Sequence, residues 1–250
     1  QLERRKKMSN FESQSFFEHL HDLRVMIVRI LWILLLGCIV TFYFDKEIFD
    51  IIRAPIAPYL PNQGLVFTGP VDKFVANIKV CFLGSAVMTC PLWLYQVWLF
   101  IAPGLYKHEK KLAVYFIFFG TLLFSAGTLF VYKLIFPMAF KYLLTFGGTT
   151  DTPMITINEY LEFFMMTTLV FGLAFEMPLI LVVLGMTGII DDKFLKAQRR
   201  TAVMVLAVLS AVVTPPDALS MLSLLAPLLF LYEVSIVLVR ILKPKKVELK

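Results

Sequence analysis

Three carboxylates carry most of the chemical interest of this chain: Asp22 in "EHLHDLR", Glu109 in "LYKHEKK" and Glu176 in "VFGLAFEMPLI". None has the partners a catalyst needs. The three histidines, His19, His21 and His108, flank apolar runs, so no imidazole lies at depth to activate a serine. "HEKKL", from His108, lacks the second histidine of a zinc-binding H-E-x-x-H helix, and no aspartate pair occurs within the apolar runs. No Walker-type glycine-rich loop precedes a Lys-Ser or Lys-Thr. The expectation is a protein that is not an enzyme, has no cofactor or metal site, and works by binding or by drawing on an ion gradient.

The elements that position these carboxylates are set by composition. The chain is 59% hydrophobic with 24 Phe and only 17% charged residues, and its mean hydropathy is +0.79. A water-soluble domain could not cover itself on that allowance. Apolar runs read approximately as Val25 to Phe44, Phe74 to Ile101, Leu112 to Phe136, Tyr160 to Ile190, Thr201 to Val213 and Ala218 to Val239. Most are long enough to cross about 30 Å of hydrocarbon as helices. The fold class is therefore all-α, a polytopic integral membrane protein with six transmembrane helices. "RAPIAPYLPNQG" and "TFGGTTDTP" read as folded loops outside the membrane.

Lys and Arg concentrate in the N-terminal segment (Arg4, Arg5, Lys6, Lys7, Arg24), the Lys107 to Lys111 loop, the Lys193 to Arg200 loop and the tail from Arg240. The opposite loops hold only Lys46, Arg53, Lys73, Lys133 and Lys141, so both termini are expected to be cytoplasmic. The domains follow as a cytoplasmic segment over 1–24, a six-helix transmembrane domain over 25–240 and a basic tail over 241–250. The net charge of +6 is topological and suits anionic lipid headgroups in the bilayer. Without stacking aromatics among its basic clusters, the chain is not expected to bind nucleic acid. Cys38, Cys81 and Cys90 fall inside spans and behave as small apolar residues. The first span lacks a small-residue cleavage site and reads as a retained helix, not a removed signal peptide.

The last two helices read as short. Thr201 to Val213 is about 20 Å of helix, and the run from Ala218 is interrupted by Pro227 and ends at Glu233. Such a hairpin, joined by "TPPD", either thins the bilayer or recruits a protein to cover its ends, unless its boundaries lie a turn further out. Glu176 interrupts an apolar run at a cost of about 2.5 kcal/mol or more if it is charged at mid-depth. Pro178 lacks the N–H that would bond the Ala174 carbonyl, which loosens the helix beside it.

"EHLHDLR" (Glu18 to Arg24), "YQVWLFIAPGLYKHEKK" (Tyr95 to Lys111), "FGLAFEMP" (Phe171 to Pro178) and "TPPD" (Thr214 to Asp217), in this order, resemble the TatC family. That family is the multispanning subunit of the twin-arginine protein translocase, and the resemblance runs from about Phe16 to Lys243. It implies a cupped six-helix wall that receives folded cargo proteins by their Arg-Arg signal peptides, for export driven by the proton-motive force. By motif position, Glu109 and Asp22 would accept the arginines. Asp22 stands where the family usually has glutamate, one methylene shorter, and Glu18 could assist. Phe100, Pro103, Leu105 and Tyr106 match the framing loop, and Arg24 matches the arginine closing the first motif.

The same resemblance implies that single-span TatA/TatB-type subunits dock on the fifth and sixth spans. Thr214 and Asp217 lie there, but Met221 replaces a glutamine found in some members, which removes one hydrogen-bonding group. Glu176 would face the concave side as a polar point for partner or cargo. A higher oligomer and a bacterial cytoplasmic (inner) membrane, or an organellar one, are also implied. Plainer roles remain beside these: Asp22 against the positive end of a helix, Glu109 paired with lysines, Arg24 as a headgroup anchor, Glu176 as a protonated packing group. A proton-coupled small-solute transporter using Glu176, or a scaffold without ligand, is the alternative.

Overall fold

In this computed structural model the described residues are 2–60, 64–101, 110–145, 154–186, 188–213 and 218–242. Side chains of residues 2–19, 110–112, 144–145 and 218–220 lie outside that description. The described residues are helical apart from turns and one isolated β-bridge. Eleven α-helices follow in order: α1 Leu2–Tyr43, α2 Asp45–Arg53, α3 Asp72–Met88, α4 Cys90–Ile101, α5 Lys110–Phe130, α6 Phe136–Thr145, α7 Ile157–Phe175, α8 Met177–Met186, α9 Asp192–Ala197, α10 Arg199–Val213 and α11 Ala218–Leu242.

Among the described residues, four stretches are long and apolar enough to cross a membrane: Leu20–Tyr43, Ala113–Leu143, Ile157–Met186 and Met221–Leu242. A fifth is counted if α3 and α4, bent by 62° at Thr89, form one broken span. The sequence reads that pair as a single straight helix, and local chemistry explains the bend. Pro91 cannot supply a helical N–H. The Thr89 hydroxyl and amide both donate to the Ser85 carbonyl, each at 2.8 Å, and the Trp93 indole donates to Ala86 O at 3.0 Å, capping the opened end of α3. A wide turn of π-helix, Val131–Ile135, joins α5 to α6 and carries the third run on past Phe136.

The hairpin at the end departs from expectation in one half. α10 has 15 residues, about 22 Å, and is short as read. α11 is not short: it runs unbroken for 25 residues through Pro227 and Glu233. Proline removes only one donor from the ladder, and tertiary packing offsets it, because Leu224, Leu228, Tyr232, Ile236 and Val239 form a continuous buried stripe. Glu233 stays on the outer side and pairs with Arg199 across the hairpin at 2.7 Å. Tyr232 donates to Leu195 O at 2.8 Å, fastening α9 underneath.

α1 packs on α3 and α4, α3 on α7, α7 on α5 and α5 on α4. Close approach at the first contact needs Gly37, where an added Cβ would stand 2.2 Å from Ser85 Oγ. That hydroxyl donates to Leu34 O at 2.7 Å, and the Thr41 hydroxyl reaches Cys81 O at 2.8 Å, so two polar side chains clamp α1 to α3. α5 and α7 mesh differently: Gly172 accommodates the Phe124 ring, and Gly127 lies against the Phe171 carbonyl.

The connection after α1 is more ordered than a loop. "DKEIFDIIR" folds into α2, and Ile52, Ile56 and Leu60 are buried against the core. Val66 then pairs with Thr156 in a parallel bridge, its amide donating to Ile155 O and its carbonyl accepting from Ile157 N, both at 3.0 Å. Tyr160 donates to the Ile52 carbonyl. Asp72, ahead of the apolar run that begins at Phe74, accepts from the Thr68 hydroxyl and amide, the Gly69 amide and the Asn158 amide group, at 2.7 to 2.9 Å.

Candidate functional site

Asp22 and Arg24 are both exposed on α1, at the start of the Leu20–Tyr43 span. Two residues apart on a helix they point to nearly opposite sides, so they cannot serve as one surface. Glu18 precedes Asp22 by four residues and shares its face by the same rule; its side chain lies outside the described residues. The half-buried stripe of Leu23, Met26 and Ile30 turns inward beside them. Phe100 is half-buried in the last turn of α4, which packs along α1.

Glu109, Pro103, Leu105 and Tyr106 fall within 102–109, outside the described residues, as do Thr214 and Asp217 within 214–217. Of the expected arginine acceptors, only Asp22 is therefore placed, with its carboxylate open to receive a cation. Exposure suits that role, since a carboxylate already bonded within the fold would have to be released first.

Glu176 occupies the single-residue turn between α7 and α8, so the helix opens where Pro178 withholds its N–H. Its amide bonds to Leu173 O at 3.1 Å. The carboxyl is not on an open concave face as the family resemblance suggests. Glu176 is 3% exposed, and Oε2 lies 3.2 Å from where a Cβ on Gly120 would stand, with Leu94 and Leu179 at 3.0 and 3.3 Å from that same point. The missing side chain of Gly120 is what lets the carboxyl tuck between helices. Neither of its oxygens has a hydrogen-bond partner among the described residues.

At the far mouth, the Thr68 hydroxyl, then the Gly69 and Thr68 amides, hold the Asp72 carboxyl below its ordinary value of 3.8. No cluster of metal-ligating side chains occurs among the described residues. Sequence reasoning passed over Thr167 and Thr168, whose buried hydroxyls on α7 have no partner among the described residues. Two threonines inside an apolar run were the available signal.

The profile of the Sec-independent protein translocase protein (TatC) family matches residues 18–227. The chain belongs to the TatC family. A TatC protein of Campylobacter jejuni is 38% identical over 90% of this chain and 94% of its own length. One from Desulforapulum autotrophicum is 34% identical over 96% of this chain and 89% of its own. A crystal structure of the twin arginine translocase receptor TatC superposes with a TM-score of 0.79 at 35% identity, covering 88% of this chain and 97% of that one. The chain is thus a multi-pass membrane protein of a protein translocase, with a role in transport and not catalysis.

Proposed function

We infer that this TatC protein is the receptor subunit of a twin-arginine translocase. It binds Arg-Arg signal peptides of folded cargo through Asp22 and Glu109, and assembles with single-span TatA/TatB-type subunits for export driven by the proton-motive force. The observation that carries the reading is the exposed Asp22 at the head of the first span, which has no hydrogen bond or ion pair among the described residues, in a segment otherwise rich in Lys and Arg. Two guanidinium groups fit two carboxylates in bidentate fashion, which lysine cannot reproduce. The distribution of Lys and Arg supports cytoplasmic termini, and counting α10 as a pass gives six spans in a bacterial inner membrane. The shortness of α10 supports docking of a partner helix against the α10–α11 hairpin.

The test is binding of a fluorescent twin-arginine signal peptide to the purified protein in nanodiscs. A Lys-Lys peptide, Glu109→Gln and Asp22→Asn should each weaken binding about tenfold or more, the scale of one lost charge-assisted hydrogen bond. Equal binding across all four would move recognition elsewhere.

A further inference from the structure

The end of the first span that lies away from the N-terminus meets a pocket of mixed charge. Tyr43 closes the Leu20–Tyr43 span and α2 begins two residues later, so its first turns stand at headgroup level. Between α2 and the start of α3 lies a pocket of about 420 Å³, lined among others by Asp45, Lys46, Asp50 and Arg53 from α2 and by Lys73 and Asn77 from α3. Lys46 and Lys73 are exposed and take part in no ion pair among the described residues. Each carboxylate is engaged through one oxygen: Asp45 Oδ2 accepts from Asn77 at 3.2 Å, and Asp50 Oδ1 from Arg53 at 3.1 Å. One chamber therefore offers two ammonium groups and two carboxylate oxygens to an occupant.

Deeper along the same crease the lining turns apolar. A groove of about 330 Å³ is formed by Leu35, Cys38, Ile39 and Phe42 of α1 and by Ile78 and Cys81 of α3. Asn77 in the pocket and Cys81 in the groove are four residues apart and share a face of α3. From Phe42 to Leu35 the groove follows roughly 10 Å of helix at 1.5 Å per residue. A charged chamber at headgroup level with an apolar channel beneath it is the polarity profile of a phospholipid.

The two signs of charge choose the headgroup. A phosphate alone would satisfy the lysines but would face Asp45 and Asp50 with nothing to offset them. A choline ammonium has no N–H to donate, whereas an ethanolamine ammonium has three, and charge-assisted bonds to carboxylates are the strong kind. We propose that pocket and groove together hold one phosphatidylethanolamine, its phosphate on Lys46 and Lys73, its ammonium on Asp45 and Asp50, and one acyl chain between Phe42 and Ile78.

The experiment uses the full chain in phosphatidylcholine nanodiscs carrying a trace of phosphatidylethanolamine with a photoactivatable diazirine in its acyl chain, and labelled residues are mapped by mass spectrometry. Native protein should be labelled at Leu35, Cys38, Ile39, Phe42 or Ile78, about fivefold or more above the same probe built on phosphatidylcholine or phosphatidylglycerol. Lys46→Gln and Lys73→Gln should each reduce that label about fivefold, the scale of one lysine at headgroup level. Asp50→Asn should bring the ethanolamine probe down to the level of the glycerol probe. All three positions are exposed, and circular dichroism confirms that the variants fold. Equal labelling by the three probes, label confined to residues such as Val114 and Phe118 on α5, or labelling indifferent to both lysine variants would overturn the proposal. A glycerol probe that labels the groove better than the ethanolamine probe would overturn it as well, since the carboxylates would then play no part.

Discussion

Glu176 and Gly120 form a pair in which one residue is intelligible only through the other. The glycine leaves room for a carboxyl that finds no hydrogen bond among the described residues. A buried polar group without a partner is a net cost, so Glu176→Met, which keeps the volume, should raise stability by about 1–3 kcal/mol. Thermal unfolding in detergent reads this directly, and an unchanged or lower midpoint would show that the carboxyl is bonded after all. Measuring export in the same variant separates packing from function, since a protein that is sturdier but inactive uses the carboxyl. From the sequence, Glu176 was conspicuous for its apolar neighbours. Its enclosure was not, because that depends on which face of α5 presents Gly120, and hydropathy does not report the rotation of a helix.

At the scale of elements, the contact of α1 with α3 rests on a glycine and two hydroxyls. Gly37→Ala places a methyl 2.2 Å from Ser85 Oγ and 2.8 Å from Thr89 Cγ2, so the helices must separate or the clamp to Leu34 O must break. The expected loss is about 1–3 kcal/mol, typical of overpacking, seen as a lower unfolding midpoint. No change would mean that the helices slide apart freely. The apolar runs announced most of these helices, since twenty residues without charge have few other solutions in a membrane protein. They did not announce the bend at Thr89, which arises where hydroxyl, proline and indole act together. Nor did they predict α11 passing Pro227, where a long buried stripe outweighs one missing donor. α2 was hidden for a simpler reason: nine residues are too few for a span, and its polar face reads as loop.

For the whole molecule, the far end is held by cross-links between distant segments: the Val66–Thr156 bridge, Tyr160 on Ile52, and Asp72 gathering Thr68, Gly69 and Asn158. Because the folded Asp72 carboxyl is depressed below 3.8, its contribution is complete at neutral pH. It begins to fade as pH falls past the unfolded value, and is lost once pH drops through the folded one. Asp72→Asn should therefore lower the unfolding midpoint at pH 7, and the gap from native protein should narrow in acid; a gap independent of pH would assign the effect to shape alone. Sequence motifs were enough to reach the family, but Asp22 and Glu109, the carboxylates of the proposed receptor site, are 87 residues apart in sequence, and no spacing encodes a meeting between their segments.

The bond from Tyr160 to Ile52 spans 108 residues of chain. At about 5–20 residues per second a ribosome needs roughly 5–20 s to make that interval. During biosynthesis the segment that follows the first apolar stretch must therefore wait, unfastened, until the fourth apolar stretch has been made. The early helices are inserted before the clasp that secures them exists, and during that delay the half-built protein is open to proteases and to neighbouring nascent chains.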